Sequence, residues 1–520
     1  MTTEIYLDAN ATSPVLPAAI LAAQAALLQC FGNPSSSHAA GLRARALLDD
    51  ARSRARRVLG AASGRLMFTS GATEGIQTAV LSALCAVRER RAAGLPCGDL
   101  LLYGATEHKA VPESLAHWNA LLGTGLTLQA LPVDADGRHR LDILRTLAPR
   151  TAFLCTMAAN NETGVVSDLD GIAAVLGDTG SDALWMVDCV QALGKLPLAL
   201  DSTRIDYAPF SGHKLYAPKG IGMLWVRADA PYTPLMCGGG QEAGQRSGTE
   251  NMAGIAALGA VLRALEEGRT FRSHAQLAAM RERLATSLRS AFPGIEFNAP
   301  FEHALPTTLN FSVPGRSGKA LLDLFDAAGV RVSAGSACSA AQAAPSYVLL
   351  AMGLPEVRCA NAVRMSFGPL ADDAFIDEAC ARIARCGQAL LAPPPAACPV
   401  TGSGAASVAP AKPQTVAPAP CELDAQGLAR FLNAHPDALL IDVREACEHA
   451  LGTPRLHGRA AYSLPLSRLP EHAAWLCRET RPLVFFCRSG NRSAQAARIA
   501  HELGHGQVRH LGGGLALLAS

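Results

Sequence analysis

The stretch "LAPPPAACPVTGSGAASVAPAKPQTVAPAP", Leu391 to Pro420, constrains this chain more than any other. It is Pro, Ala, Ser and Gly with almost no charge, so it has neither the side chains for a core nor the backbone donors for a long ladder. It reads as an extended, semi-flexible linker that parts about 390 residues from about 100. At 520 residues the chain is in any case too long for one core. Two or three domains are expected.

Composition narrows the class. Apolar residues make up 49% and charged ones 17%, as in a soluble globular protein, and the net charge of +2 gives no pull toward nucleic acid or anionic membrane. The first residues, MTTEIYLDAN, carry neither a basic region nor an apolar run, so they do not read as a signal peptide. No apolar stretch is long enough to span a bilayer. A cytoplasmic location is expected. The 15 cysteines form no C-x-x-C pair and lie in apolar contexts. Most read as reduced, buried small hydrophobes rather than disulfides or a zinc site.

Before the linker, apolar runs alternate with amphipathic stretches. "RLMFTSG", "LLYGATEH", "TAFLCTMAANNETG" and "LWMVDCVQ" read as buried strands ending in polar loops, and "LRARALLDDARSRARRVLG" (residues 42–60) reads as a helix. That alternation predicts a mostly parallel sheet covered on both faces. Ligands then gather at the carboxyl ends of the strands. After the linker, "ALLIDVRE" and "RPLVFFCRSGNRSAQAARIAHELG" each run from strand into loop, the second continuing into a helix. This predicts a separate small α/β domain.

Four strand-end loops before the linker share one chemistry. "TSGATEG" offers Gly71, Ala72 and Thr73 at a helix start, where amides and dipole suit a phosphate. "ATEHKA" supplies His108, "MVDCVQ" supplies Asp188 and Gln191, and "FSGHKLYAPKG" supplies Ser211, His213 and Lys214. Singly, Asp188 is as readily a helix cap, His108 a structural histidine and Lys214 a surface amine. Together they match the needs of pyridoxal phosphate: a lysine for its aldehyde, a carboxylate for its ring nitrogen, a ring to stack on it, and donors for its phosphate.

The segment before the linker resembles the cysteine desulfurases, fold-type-I pyridoxal-phosphate enzymes. The resemblance is carried by "YLDANAT", "GNPSSSH", "TSGATEG", "TEHKA", "NNETGVV", "VDCVQ", "SGHKLYAPKG", "GGGQEAGQRSGTEN", "SAGSACSA", "VLLAMGL" and "VRMSFGP". It implies a large domain of a mostly parallel sheet over about residues 17–262. It also implies a small α/β domain over about 1–16 and 263–390. Lys214 would join the cofactor's aldehyde, Asp188 would face the ring nitrogen and His108 would stack on the ring. Asn161 and Gln191 would bond the side bearing its phenolic oxygen. Ala72, Thr73, Ser211 and His213 would hold the phosphate. Thr249 would reach the phosphate of a second subunit, which implies a homodimer. Asn33 and Arg364 would hold the carboxylate of L-cysteine. Cys338, in "SAGSACSA", would take the sulfur as a persulfide and leave alanine, with His108 as a nearby proton acceptor. The chain departs from the family pattern at "IQTA" after "TSGATEG" and at Pro369, which touches substrate preference and rate rather than reaction class.

The segment 422–520 resembles a rhodanese domain. Its "CRSGNRS" puts Cys487 between an apolar strand and a helix start, where inward amides stabilise a thiolate or persulfide. Asp442 and Arg444 would brace the loop, and Arg492 is either a brace or an anion contact. The two halves combine into one expectation. Sulfur leaves L-cysteine on Cys338 and crosses the 391–421 linker region to Cys487. From there it goes to a protein or small-thiol acceptor, in iron–sulfur assembly or thiolation. About 30 flexible residues span on the order of 30 Å. The competing readings are a selenocysteine lyase or aminotransferase, and a sulfur-binding scaffold without catalysis.

Overall fold

A computed structural model describes residues 4–334, 344–391, 421–452 and 455–518. The linker and the "GSACSA" segment with Cys338 lie outside the described residues.

Seven strands make the largest sheet, in the spatial order Arg65–Thr69, Gly222–Val226, Tyr207–Ser211, Leu184–Asp188, Thr151–Met157, Leu100–Gly104, Thr127–Leu131. The last five are mutually parallel. Gly222–Val226 runs antiparallel to both of its neighbours. The mostly parallel sheet expected from the sequence therefore carries one reversed strand. The connection from Ser211 to Gly222 is too short for the helical crossover that a parallel neighbour needs. Every residue of Thr151–Met157 is buried, which is why the central strands read as unbroken apolar runs.

Alternate side chains feed two cores. Phe68, Leu154, Trp185 and Phe210 pack under the helices Ala39–Leu59 and Met252–Glu267. Met67, Phe153, Met186 and Tyr207 pack under Ala72–Ala92 and Ala110–Leu122.

The second unit is an antiparallel sheet of Ser333–Ala334, Val363–Ser366, Thr308–Ser312 and Glu296–Phe297. The helices His274–Ala291 and Asp373–Leu391 pack on it. Ile5–Tyr6 pairs with Val330–Arg331, and Ile5 and Leu7 sit in this unit's core, so the N-terminal residues fold with the second unit.

The third unit is a five-stranded parallel sheet in the order Cys421–Leu423, Val508–Leu511, Leu483–Phe486, Leu439–Asp442, Tyr462–Ser463. Ile441 and Phe485 face one core, Leu440 and Phe486 the other. The short helix Ala446–Ala450 rests on Gly318–Ala327 and Asp373–Leu391 of the second unit.

Candidate active site

The carboxyl ends of the large sheet converge on a cavity of about 410 Å³. Asp188 closes its strand and is buried to 7% exposure, accepting a hydrogen bond from the Val190 amide at 2.9 Å. Burial lifts its carboxyl to about 6, against the Val190 bond and the Lys214 charge that lower it. Ser211 ends the next strand, and His213 and Lys214 follow in one helical turn. The Lys214 amine donates to the carbonyls of Asn10 and Ala11 at 2.7 and 2.8 Å, which aims it into the cavity mouth.

His108 follows the strand Leu100–Gly104, and its Nδ1 accepts from the Ala110 amide at 3.2 Å. Burial first, then the charges of Lys214 and Lys109, lower its pKa, so the ring stays neutral and can take a proton. Burial, Lys214 and Lys219 push His213 down to about 4, and its Nδ1 meets Thr12 Oγ1 at 3.2 Å. Gly71, Ala72 and Thr73 open the helix Ala72–Ala92, whose first amides have no acceptor within the helix. Gly222 lets that turn come close, since a Cβ there would lie 2.7 Å from the Gly71 backbone.

At the opposite wall, Arg364 is 1% exposed. It donates to Asp8 Oδ1 at 2.6 Å and to the Asn161 carbonyl at 3.0 Å. Two buried polar atoms there have no partner among the described residues, Asn161 Oδ1 and Arg364 Nε. Such atoms are costly unless a ligand meets them. Gln191 Nε2 bonds the Asn10 carbonyl at 3.3 Å, and its Oε1 accepts from Lys195 at 2.6 Å.

Of the residues singled out in the sequence, the fold brings Ala72, Thr73, His108, Asn161, Asp188, Gln191, Ser211, His213, Lys214 and Arg364 to one cavity. Thr249 lines a smaller adjoining hollow with Ser70 and Gly220. Asn33 is exposed, with its Oδ1 held by the Ser35 amide. Cys338 lies outside the described residues. The strand that leads to it sets Ser333 opposite Arg364 and bonds Asp8 through the Ser333 hydroxyl at 2.9 Å.

Sequence reading missed four residues. Lys195 is half-buried behind Gln191, and desolvation of its amine, Lys214 and Arg364 push that amine down to about 7. Glu107 is buried and accepts from the Met157 amide at 2.8 Å, and burial and the nearby Asp188 raise its pKa. Asp8 and Asn10 anchor Arg364 and Lys214 from the N-terminal segment. Their motif, "YLDANAT", was visible; their partners were not.

Pyridoxal phosphate fits this donor set. The site offers an amine, a buried carboxylate, a neutral imidazole, a helix start for the phosphate, and the orphaned Asn161 Oδ1 and Arg364 Nε.

In the third unit, Cys487 follows Leu483–Phe486 and precedes Asn491–Glu502. It is fully buried, and its Sγ accepts from the Gly490 amide at 3.2 Å. Gly490 has φ 90°, and a Cβ there would strike the Gly513 amide at 2.8 Å, so the loop needs glycine. Asp442 receives Arg444 at 2.7 Å and His449 at 3.0 Å. Burial opposes these bonds, yet they hold its carboxyl below the usual range. Arg492 grips Glu448 with both terminal nitrogens, at 2.5 and 2.9 Å.

A family model of class-V aminotransferases matches residues 5–378, and one of rhodanese-like domains matches residues 424–519. A cysteine desulfurase of Gluconacetobacter diazotrophicus is 39% identical over 375 residues, covering 72% of this chain and 90% of that protein. Cysteine desulfurase NifS of Azotobacter vinelandii is 35% identical over 378 residues, covering 72% and 90%. Among solved structures, a NifS-like protein superposes with a TM-score of 0.66 at 30% identity, covering 75% of this chain and 100% of that one. DndA from Streptomyces lividans superposes at 0.57 with 32% identity, covering 70% and 99%.

Proposed function

Because the chain belongs to the class-V aminotransferases, as a cysteine desulfurase with a rhodanese-like domain in the same chain, we propose that it moves sulfur from L-cysteine through Cys338 to Cys487 and on to an outside acceptor. The enzyme is pyridoxal-phosphate dependent, like its relatives. The cofactor supplies an electron sink for the bond changes at the substrate's carbon skeleton.

The residues divide the rest of the work. Lys214 holds the aldehyde end, Asp188 the ring nitrogen, and Asn161 and Gln191 the phenolic side. Ala72, Thr73, Ser211 and His213 hold the phosphate. Arg364, which lines the cavity and whose Nε has no partner among the described residues, receives the substrate carboxylate. His108, neutral at pH 7, takes the proton released as the thiol of Cys338 ionises. The Cys338 thiolate attacks the substrate sulfur and the carbon–sulfur bond breaks. The bonding pair stays with carbon, which gains a proton and leaves as alanine. The Cys487 thiolate then attacks the outer sulfur of the Cys338 persulfide, and Cys338 departs as a thiol.

The observation that carries this reading is the meeting of Lys214, Asp188, His108 and Arg364, from distant segments, in one cavity. Two features support a homodimer. Thr249 and Asn33 stand outside their own chain's cavity. The helix Pro17–Gln29 and the turn after it also expose Ile20, Leu21, Leu27, Leu28 and Phe31. A chemistry of free thiols suits the reducing cytoplasm. Acceptors in iron–sulfur assembly or thiolation pathways both match the chemistry of a persulfide.

Turnover with sulfur-labelled L-cysteine, followed by trapping of persulfides and mass spectrometry of both cysteine loops, tests the relay. Label is expected first on Cys338 and then on Cys487, and Cys487→Ser should hold it on Cys338. Label that passes to outside thiols with Cys487 never modified would end the proposal.

A further inference from the structure

The contact between the second and third units is built from charge. On the helix Gly318–Ala327, Asp323 and Asp326 face the loop that follows Cys487. Arg488, the next residue, reaches Asp323 at 3.3 Å and Asp326 at 2.6 Å. Arg492, from the first turn of the following helix, lies 3.6 Å from Asp323 while gripping Glu448. Lys319 and Arg331 contact the same two aspartates from the second unit's own side. Asp323 is thereby buried to 8% exposure, low for an aspartate on an outer helix. Beside this network the apolar seat is small, with Cys447 and Leu451 packing against the second unit's core.

We propose that Asp323 and Asp326 form a docking site for the chain's own Cys487 loop, closed by Arg488 and Arg492 as a salt-labile latch. The composition of the contact favours this occupant. Two carboxylates meet two guanidiniums with geometry fixed on both sides, which gives register and orientation. Among the described residues the apolar seat adds Cys447 and Leu451 from the third unit, beside which the charged contacts set the register. The arginines that meet the aspartates are the residue after Cys487 and one in the first turn of the helix that follows, so docking fixes the direction in which that loop faces. The aspartates lie on the helix that precedes the strand Ser333–Ala334, from which the chain continues to Cys338. The latch rests on contacts between the units; its use as a station in sulfur transfer rests on the relay proposed above. In that use the latch defines where the Cys487 loop comes to rest.

The test uses the full chain loaded with pyridoxal phosphate, followed by small-angle scattering and amide hydrogen exchange. At low salt the compact arrangement is expected, with slow exchange in 446–451. About 1 M salt shortens the reach of charge to a few ångströms. That condition, or the double variant Asp323→Arg/Asp326→Arg, should raise the radius of gyration and speed exchange there about tenfold or more. Adding Arg488→Asp to the double variant should restore both readings, which a merely unfolded variant cannot do. Alanine release in a single turnover, before sulfur has to leave Cys338, should match the unmodified chain in Asp323→Arg/Asp326→Arg, since neither aspartate lines the catalytic cavity. Its loss would count against the reading of the cavity rather than the latch. Scattering and exchange that ignore both salt and charge reversal would overturn the latch, as would a wild-type chain extended at low salt.

Discussion

Asp188 makes the chain pay in stability for its chemistry, and the amount follows from burial. Its carboxyl, ordinarily at 3.8, is raised to about 6 by desolvation in the cofactor-free fold. A shift of roughly two units is worth about 3 kcal/mol, and the group is buried to 7% exposure, so solvent screening removes little of it. The sign follows from the raised folded value. Below about pH 4 the group is protonated in both states and the penalty is absent. The penalty grows as pH rises and is complete above about 6. Asp188→Asn keeps the acceptor for the Val190 amide but can never ionise. The cofactor-free variant should therefore exceed the unmodified chain in stability by up to about 3 kcal/mol at pH 7.5, with a melting temperature higher by on the order of 5 °C for the large unit. The gain should fade as pH drops through 6 toward 4. The same substitution should weaken cofactor retention and lower desulfuration by at least about a hundredfold, because a neutral amide cannot pair with a protonated ring nitrogen. Calorimetry of cofactor-free protein across pH 4.5–8, with visible absorbance of the loaded form, measures both halves. A cofactor-free Asp188→Asn that melts lower than the unmodified chain, or a gain that does not change with pH, would refute the reasoning.

Three further outcomes are expected. Arg364→Lys loses the planar fork that meets Asp8, the Asn161 carbonyl and the substrate carboxylate. The KM for L-cysteine should rise by about thirtyfold, roughly 2 kcal/mol, with cofactor absorbance retained. Lys195 gains its proton as pH falls through about 7 and bonds Gln191, so cofactor absorbance should show an inflection near pH 7 that Lys195→Met removes. Glu448→Ala leaves the half-buried Arg492 without its main partner and should cost the third unit about 2 kcal/mol by thermal melting, whereas Arg444→Ala should act through Asp442 instead.

Much of the fold and the site is legible in the sequence because the chemistry sits where the backbone puts it. Asp188, Ser211 and Lys214 end strands whose apolar runs announce them, and Cys487 ends another. The linker's composition is enough by itself to part the units on either side of it. What stays hidden depends on distant chain meeting distant chain. Arg364 finds Asp8 from 356 residues away. Lys195 reads as a surface lysine until the first residues fold over it. Glu107 stands next to His108 in sequence, yet only the third dimension sets it near Asp188. The reversed strand Gly222–Val226 is hidden for another reason: a buried strand has the same apolar pattern in either direction, and only its short connection gives the direction away. The meeting of Arg488 with Asp323 cannot be read at all, since it joins two units that no periodicity links.

The balance of charge around the cavity has a consequence for how fast ligands arrive. Over its length the molecule is almost neutral, at +2. The cavity is not: Lys214, Lys219 and Arg364 line it against Asp188 and Glu74, and Lys195 stands close behind. Glu74 is already matched by Arg246 and Arg364 by Asp8, which leaves Lys214, Lys219 and Lys195 against Asp188. The excess positive potential is thus focused at one opening, where a phosphate ester or an amino acid's carboxylate is drawn from solution. Capture of the cofactor by the empty enzyme should then slow as ionic strength rises, although the protein as a whole gives an anion almost no reason to approach.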